Sequence, residues 1–143
     1  MLFGKRKRIV KHILVVEDEP LTAFDNEQLI TSAGYEVVAT CDNVTDALAT
    51  LDTGQVDLIL SDVKLSGNRN GSDLAREAKR RGVSVLLVTG RCPEDAASYA
   101  VGCLMKPYTD RTLRDAIQAV EDHLVGNMPR LVRGLELFPL VDG

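Results

Sequence analysis

An α/β protein built on a doubly wound parallel sheet is what the sequence predicts, and three observations carry that prediction. Apolar runs alternate with amphipathic stretches from His12 onward at a spacing of roughly 20–25 residues, the pattern of a βα repeat. The apolar runs are continuous rather than alternating, as strands covered on both faces should be. Strand-like and helix-like segments follow one another in strict alternation, which calls for right-handed crossovers between parallel neighbours. With 143 residues, 45% of them hydrophobic and 27% charged, the chain has the makeup of one globular domain that needs neither metal nor disulfide to fold.

Strands are read at 12–17, 35–40, 56–61, 83–88 and 102–105, and helices at 20–33, 44–52, 71–81, 93–100 and 110–125. The last helix is the clearest, because Leu113, Ala116, Ile117, Val120 and Leu124 share one face. Asn43 and Thr109 stand where N-caps belong, and Gly34, Gly82 and Gly126 where a helix end favours a left-handed residue. Only 17 residues follow Gly126, too few for a second domain. They carry Leu131, Val132, Leu135, Leu137, Phe138, Leu140 and Val141, broken by Pro129 and Pro139. The expected organisation is therefore a basic extension (1–11), a core domain (12–126) and a tail (127–143) that docks on its own domain, with no output domain.

Charge is unevenly spread. Lys5, Arg6, Lys7, Arg8 and Lys11 crowd the amino terminus, leaving 12 basic against 21 acidic residues in the remainder. A solvated arm is the expectation, with attraction to an acidic partner as the alternative. The apolar run Ile13–Val16 is too short for a membrane span and ends in Glu17-Asp18-Glu19 rather than a cleavage site, so neither membrane insertion nor a signal peptide is expected. Cys41, Cys92 and Cys103 are odd in number and form no C-x-x-C pair, which suits reduced thiols in a cytoplasmic protein. Cys92 lies beside the predicted site, but thiolate chemistry needs exposure and a lowered pKa, and the sequence shows neither. Six Phe and Tyr with no Trp offer few stacking faces for bases, and no direct DNA binding is expected.

In an open α/β sheet, ligands bind beyond the carboxyl ends of the strands. The first strand delivers Glu17-Asp18-Glu19 there, the third Asp62, the fourth Thr89-Gly90 and the fifth Lys106-Pro107. Three carboxylates converging in one crevice repel and raise one another's pKa unless a hard cation neutralises them, and an all-oxygen donor set suits Mg2+. Carboxylate, Mg2+, lysine and hydroxyl together are the parts of phosphoryl transfer. Asp62 ends the most buried strand and is the candidate nucleophile, which would form an acyl phosphate. Taken singly, each of these residues reads equally as a solvated loop or a cap; their conjunction in the right strand order is the signal.

Residues 12–125 resemble the receiver domain of two-component response regulators, through Ile13-Leu-Val-Val-Glu-Asp-Glu19, Asp57-Leu-Ile-Leu-Ser-Asp62, Val88-Thr-Gly90 and Lys106-Pro107. The resemblance implies a flavodoxin-like (βα)5 domain with strand order 2-1-3-4-5, of the stand-alone type, monomeric or weakly dimeric. It implies that Asp62 accepts a phosphoryl group from a sensor histidine kinase or a histidine phosphotransfer protein, with intrinsic Mg2+-dependent self-phosphorylation and self-dephosphorylation. Asp18, Asp62 and the backbone carbonyl of Lys64 would hold Mg2+ directly and Glu17 through water. Thr89 would turn its hydroxyl to the phosphoryl group, Lys106 would pair with it, and the bond before Pro107 would be cis.

The chain departs from that pattern in places. Cys103 stands where several receivers have an aromatic residue coupled to the threonine, so any switch must use other packing, with Tyr99 and Tyr108 as candidates. Thr89 and Lys106 are only 17 positions apart, which shortens the fourth helix and weakens the face through which many receivers dimerise. Leu87-Val-Thr-Gly-Arg91 is similar to the Phe-Ala-Thr-Gly-Tyr segment of a subset of stand-alone receivers. Lys64 and Arg91, two residues after the acceptor and after the threonine, occupy positions that tune acyl-phosphate lifetime in this family.

Two other readings are weighed. One is a receiver-fold scaffold that binds proteins without phosphorylation, against which the intact acidic cluster argues. The other is an aspartyl phosphohydrolase of the haloacid dehalogenase kind, which would need an Asp-x-Asp pair where this chain has Glu17-Asp18-Glu19.

Overall fold

The computed structural model describes residues 9–140, so the basic run Lys5–Arg8 and the apolar Val141 lie outside the described residues. The order is β1 (His12–Val16), α1 (Pro20–Ser32), β2 (Glu36–Cys41), α2 (Val44–Thr53), β3 (Leu58–Asp62), α3 (Gly71–Arg80) and β4 (Ser84–Thr89). A 3-10 turn (Ala96–Ser98), β5 (Gly102–Met105), α4 (Asp110–Leu124) and β6 (Leu135–Leu137) complete it. The sheet runs β2-β1-β3-β4-β5-β6, parallel throughout except for the antiparallel β5–β6 pair.

Both faces of the central strands are buried, which is why their sequences read as unbroken apolar runs. Ile13, Val15, Leu58, Leu60, Leu86 and Val88 pack with Ile30 of α1 and Leu113, Ile117 and Val120 of α4. The alternate residues Leu14, Val16, Ile59, Val85 and Leu87 face Ala47 of α2 and Leu74, Ala75 and Ala78 of α3. Helix ends follow the sequence signals. The Asn43 side chain accepts from Asp46 N–H at 2.8 Å and Thr109 Oγ1 from Thr112 N–H at 3.1 Å, while Asn70 and Asp73 form a reciprocal capping box. Gly34, Gly82 and Gly126 adopt φ of 97°, 76° and 80° after α1, α3 and α4.

Three features differ from the sequence reading. The abbreviated fourth helix, expected over 93–100, is reduced to the turn Ala96–Ser98. Tyr99 ends it: its hydroxyl donates within reach of both Ser72 Oγ (3.0 Å) and Asp95 Oδ1 (2.8 Å), and its ring lies under the Arg76 guanidinium. Those contacts hold the chain against α3 and direct it into β5 after one turn. The third strand begins at Leu58, because the Asp57 carboxylate turns back to accept from Lys11 and His12 N–H.

The tail supplies a sixth strand to the expected five. Met105 N–H donates to Gly134 O at 2.8 Å and Phe138 N–H to Val101 O at 3.0 Å, while His123 Nε2 lies 2.6 Å from Phe138 O. As the last of the five parallel strands β5 has an outer edge of unpaired backbone groups, and the tail pairs with it. Gly102 permits the approach, since a Cβ there would stand 2.7 Å from Glu136 O.

Candidate functional site

The parallel sheet brings the ends of β1, β3, β4 and β5 to one edge, where each ends in or is followed by a polar residue. Glu17 follows β1 directly and is 6% exposed; its backbone N–H donates to Cys41 O at 2.9 Å and its Oε2 accepts from Glu19 N–H at 3.0 Å. Asp18, next along, is exposed. Glu19 is the N-cap of α1 and accepts from Leu21 N–H, so the third member of the acidic run serves the helix rather than the crevice. Asp62, the last residue of β3, has a side chain only 11% exposed.

Oxygen atoms from Glu17, Asp18 and Asp62 lie within 4.8 Å of one another, as the sequence reading requires. Burial raises the Glu17 pKa and the Asp62 charge adds to that, against the Glu19 N–H and the Lys106 ammonium. A carboxylate lifted this way gains from a cation beside it. Three hard oxygen donors on two chain segments, one of them open to solvent, fit Mg2+ with water completing its shell.

One cation is already present. Lys106 Nζ donates to Asp62 Oδ2 at 2.9 Å, while Asp62 Oδ1 accepts from Val63 N–H at 2.9 Å. Burial works against the Lys106 charge, but the Asp62 hydrogen bond and the charges of Asp62 and Glu17 outweigh it, and its pKa is raised. The Lys106-Pro107 bond is cis, as the resemblance implies.

Thr89 ends β4 and is nearly buried, but its hydroxyl turns away from the carboxylates. It donates to Arg91 O at 3.0 Å and accepts from Arg91 N–H at 3.2 Å. The side chains of Lys64 and Arg91 are exposed on the loops either side of the crevice mouth. Cys103 is 1% exposed in the α3-side core, at the centre of β5. Of the two candidate tyrosines, Tyr99 is tied to α3 and Tyr108 donates to Asn26 Oδ1 of α1 at 3.2 Å.

Three residues to which the sequence reading gave no role at the site contribute to it. Asn26 is buried on the inner face of α1 between Ala23 and Ile30, and it tethers the Lys106–Thr109 loop through Tyr108. Its one sequence signal is a polar residue on an otherwise apolar face. Ser66 Oγ sits 3.5 Å from Asp18 Oδ2, bringing the loop after Asp62 over the acidic group. Gly71, at the start of α3, donates its N–H to Val63 O at 2.7 Å and holds the backbone just beyond the acceptor.

With this geometry in place, the chain can be set beside known proteins. The sequence profile of the response regulator receiver domain matches residues 13–118. The transcriptional regulatory protein PdtaR of Mycobacterium tuberculosis is 28% identical over 119 residues, an alignment that covers 79% of this chain and 56% of that protein. The chain thus spans little more than half the length of that relative. The chemotaxis protein CheY of Pseudomonas aeruginosa is 28% identical over 123 residues, covering 80% of this chain and 98% of that one. Among solved structures, a CheY-like receiver domain protein from Methanospirillum hungatei superposes with a TM-score of 0.72 at 27% identity, covering 82% of this chain and 98% of that one. The strand order, the acidic crevice and the matched segment agree: this chain belongs to the response regulator receiver domain family of two-component signalling.

Proposed function

We propose that this receiver takes a phosphoryl group onto Asp62 from a phosphohistidine of a sensor histidine kinase or a phosphotransfer protein, and acts as a phosphate sink, shuttle or protein-interaction switch. The observation that carries the proposal is the Asp62 carboxylate, shielded at the end of β3 with Lys106 Nζ on one oxygen and two further carboxylates beside it. A purely structural aspartate would have no use for two acidic neighbours.

In the transfer, an Asp62 oxygen bonds to phosphorus as the P–N bond breaks, and the bonding pair returns to the donor imidazole, which takes up a proton. Asp18, Asp62 and the Lys64 carbonyl, with Glu17 through water, would hold Mg2+, whose charge offsets that of the incoming phosphoryl oxygens. Lys106 exchanges its Asp62 partner for a phosphoryl oxygen. The Thr89 hydroxyl leaves Arg91 O and donates to another, a rotation that frees the 89–91 segment to report the phosphorylated state. Leu21 (75% exposed) and Phe24 (59% exposed) on the first turns of α1 offer apolar surface beside the crevice for the donor protein. Lys64 and Arg91 at the mouth slow attack by water, so the Lys64→Ala/Arg91→Ala double variant should lose its phosphoryl group faster than wild type.

The test is intact-mass measurement after incubation with Mg2+ and phosphoramidate or acetyl phosphate, followed by phosphorylated histidine kinases. Gain of one phosphoryl group by wild type and none by Asp62→Asn is the expected result. No gain from either class of donor would overturn the proposal in favour of a scaffold. Among the described residues no helix is long and apolar enough to cross a membrane, and a cytoplasmic location is part of the same proposal.

A further inference from the structure

Lys106 Nζ donates to Asp62 Oδ2 at 2.9 Å, so whatever fixes the Lys106 loop also fixes the crevice. That loop covers residues 106–109, between β5 and α4. At its start the Lys106 N–H donates to Thr89 O at 2.8 Å, and at its end the Thr109 side chain is committed to capping α4. Pro107, between them, has no N–H to give. The middle of the loop is tied by a side chain instead: the Tyr108 hydroxyl donates to Asn26 Oδ1 at 3.2 Å.

Two observations give that bond weight. Asn26 is 7% exposed on the inner face of α1, in line with the buried Ala23 and Ile30, so the acceptor is a packed side chain on a rigid element. A cleft of about 550 Å3 opens between α1 and the loop, lined by Thr22, Asp25, Asn26, Lys106, Tyr108 and Asp110. Packing is incomplete on that side of the loop, and the Tyr108–Asn26 bond is a polar link across it. Lys106 is thus held from both directions, by Thr89 O before it and by α1 after it. We propose that Asn26 and Tyr108 are a positioning pair that holds Lys106 against Asp62, so that α1 sets the reach of the ammonium that meets an incoming phosphoryl group.

Neither residue touches the reacting atoms; both act through the loop. Their part in phosphoryl transfer rests on the reading of Asp62 as acceptor, whereas their hold on Lys106 does not. A hydrogen bond that served folding alone can be replaced: Tyr108→Phe or Asn26→Leu singly leaves one polar group without its partner and costs stability, while the double variant exchanges both for apolar groups of nearly the same shape and should recover it. A positioning role is not recovered in this way, because apolar contact does not fix distance and direction as a hydrogen bond does. Stability and the placement of Lys106 therefore part company in Tyr108→Phe/Asn26→Leu.

The test is acetylation of the full-length native protein by a trace of acetic anhydride at one pH, with Lys106 and Lys11 read by peptide mass. Lys11 is exposed at the opposite end of β1 from the crevice and serves as the internal reference. Labelling of Lys106 relative to Lys11 should rise at least about threefold in the double variant while its Tm stays near that of wild type. Phosphorylation by phosphoramidate should slow on the order of tenfold. Mg2+ affinity, which a collapsed site would lose, should not weaken. Tyr35→Phe is the control: it removes another hydroxyl bond, to Glu121 Oε1 at 2.6 Å, beside the first pair of the β1–β2 ladder at the end of the sheet away from the crevice, and it should leave the Lys106 ratio unchanged.

An unchanged Lys106 ratio in a double variant of wild-type stability would overturn the proposal, and so would an equal rise in Tyr35→Phe. Should the double variant fail to fold, Tyr108→Phe, which removes a single oxygen, is judged by the same ratio. If wild type takes no phosphate from phosphoramidate, the acceptor reading fails, while the labelling ratio still decides the positioning pair.

Discussion

Replacing Gly71 by Ala should damage stability and the acceptor site together. Gly71 is the first residue of α3, and a Cβ built on it would stand 2.1 Å from Asp62 O and 2.9 Å from Val63 Cα. Both clashing atoms are backbone, so no side chain can swing aside, and either α3 or the 62–63 peptide must retreat by more than an ångström. Overpacking of this kind costs about 1–3 kcal/mol. The retreat also strains the Gly71 N–H to Val63 O bond of 2.7 Å, for which about 1 kcal/mol is a fair allowance. The combined expectation is about 3 kcal/mol by urea denaturation, or a Tm lower by roughly 6–12 °C for a domain of this size. Because the displaced oxygen belongs to Asp62, phosphorylation should slow as well. Gly90→Ala is the control, since Gly90 is exposed, has an ordinary φ and leaves its Cβ position open, so it should stay within about 0.5 kcal/mol of wild type. A Gly71→Ala protein as stable as that control would show that the close approach of α3 to the acceptor backbone is wrong.

Glu17 should make Mg2+ binding depend on pH: its pKa is raised above the ordinary 4.5, so protons compete with the metal at higher pH than at a normal carboxylate. Titration calorimetry should show Mg2+ affinity falling as pH is lowered from neutral, and falling less steeply in Glu17→Gln; a flat profile in wild type would contradict the buried carboxylate. Asp57→Ala should cost about 2 kcal/mol at neutral pH, because its carboxylate accepts from Lys11 N–H, His12 N–H and His12 Nδ1. Burial pushes the Asp57 pKa up, yet those donors outweigh it and the net shift is down, so this stabilisation is whole above the unfolded value of 3.8 and is lost as pH falls through the lower folded value. The gap between wild type and Asp57→Ala, read by denaturation at several pH values, should therefore close only in acid. Gly102→Ala should dislodge β6, its Cβ meeting Glu136 O at 2.7 Å and Leu137 Cδ2 at 3.0 Å, and hydrogen exchange at Phe138 and Met105 should quicken; unchanged protection would mean that the tail does not pair as described.

The positions of Glu17, Asp18, Asp62, Thr89 and Lys106 were legible because each lies at or just beyond the end of a continuous apolar run. Such runs mark strands buried on both faces, and in a parallel sheet every strand end faces the same edge. Helix ends were legible for a related reason, since Asn43, Thr109 and the three glycines act on backbone groups within a few residues of themselves. The Tyr108–Asn26 tether and the hold of Glu121 on Val10 N–H and the Tyr35 hydroxyl join residues 82 or more positions apart, and no local pattern announces them.

The sequence by itself determined the alternation of strands and helices, the edge at which chemistry gathers and the residues delivered there, since all of these follow from periodicity and local hydrogen bonding. Tertiary structure alone decided that the tail closes the sheet as β6, that the fourth helix, already short by its spacing, is reduced to a single 3-10 turn, and that the Thr89 hydroxyl rests on Arg91 rather than in the crevice. Each of those outcomes is a choice among several partners of similar local merit, and only the assembled neighbours, by leaving an edge unpaired or a ring with a place to pack, make one of them lowest in free energy.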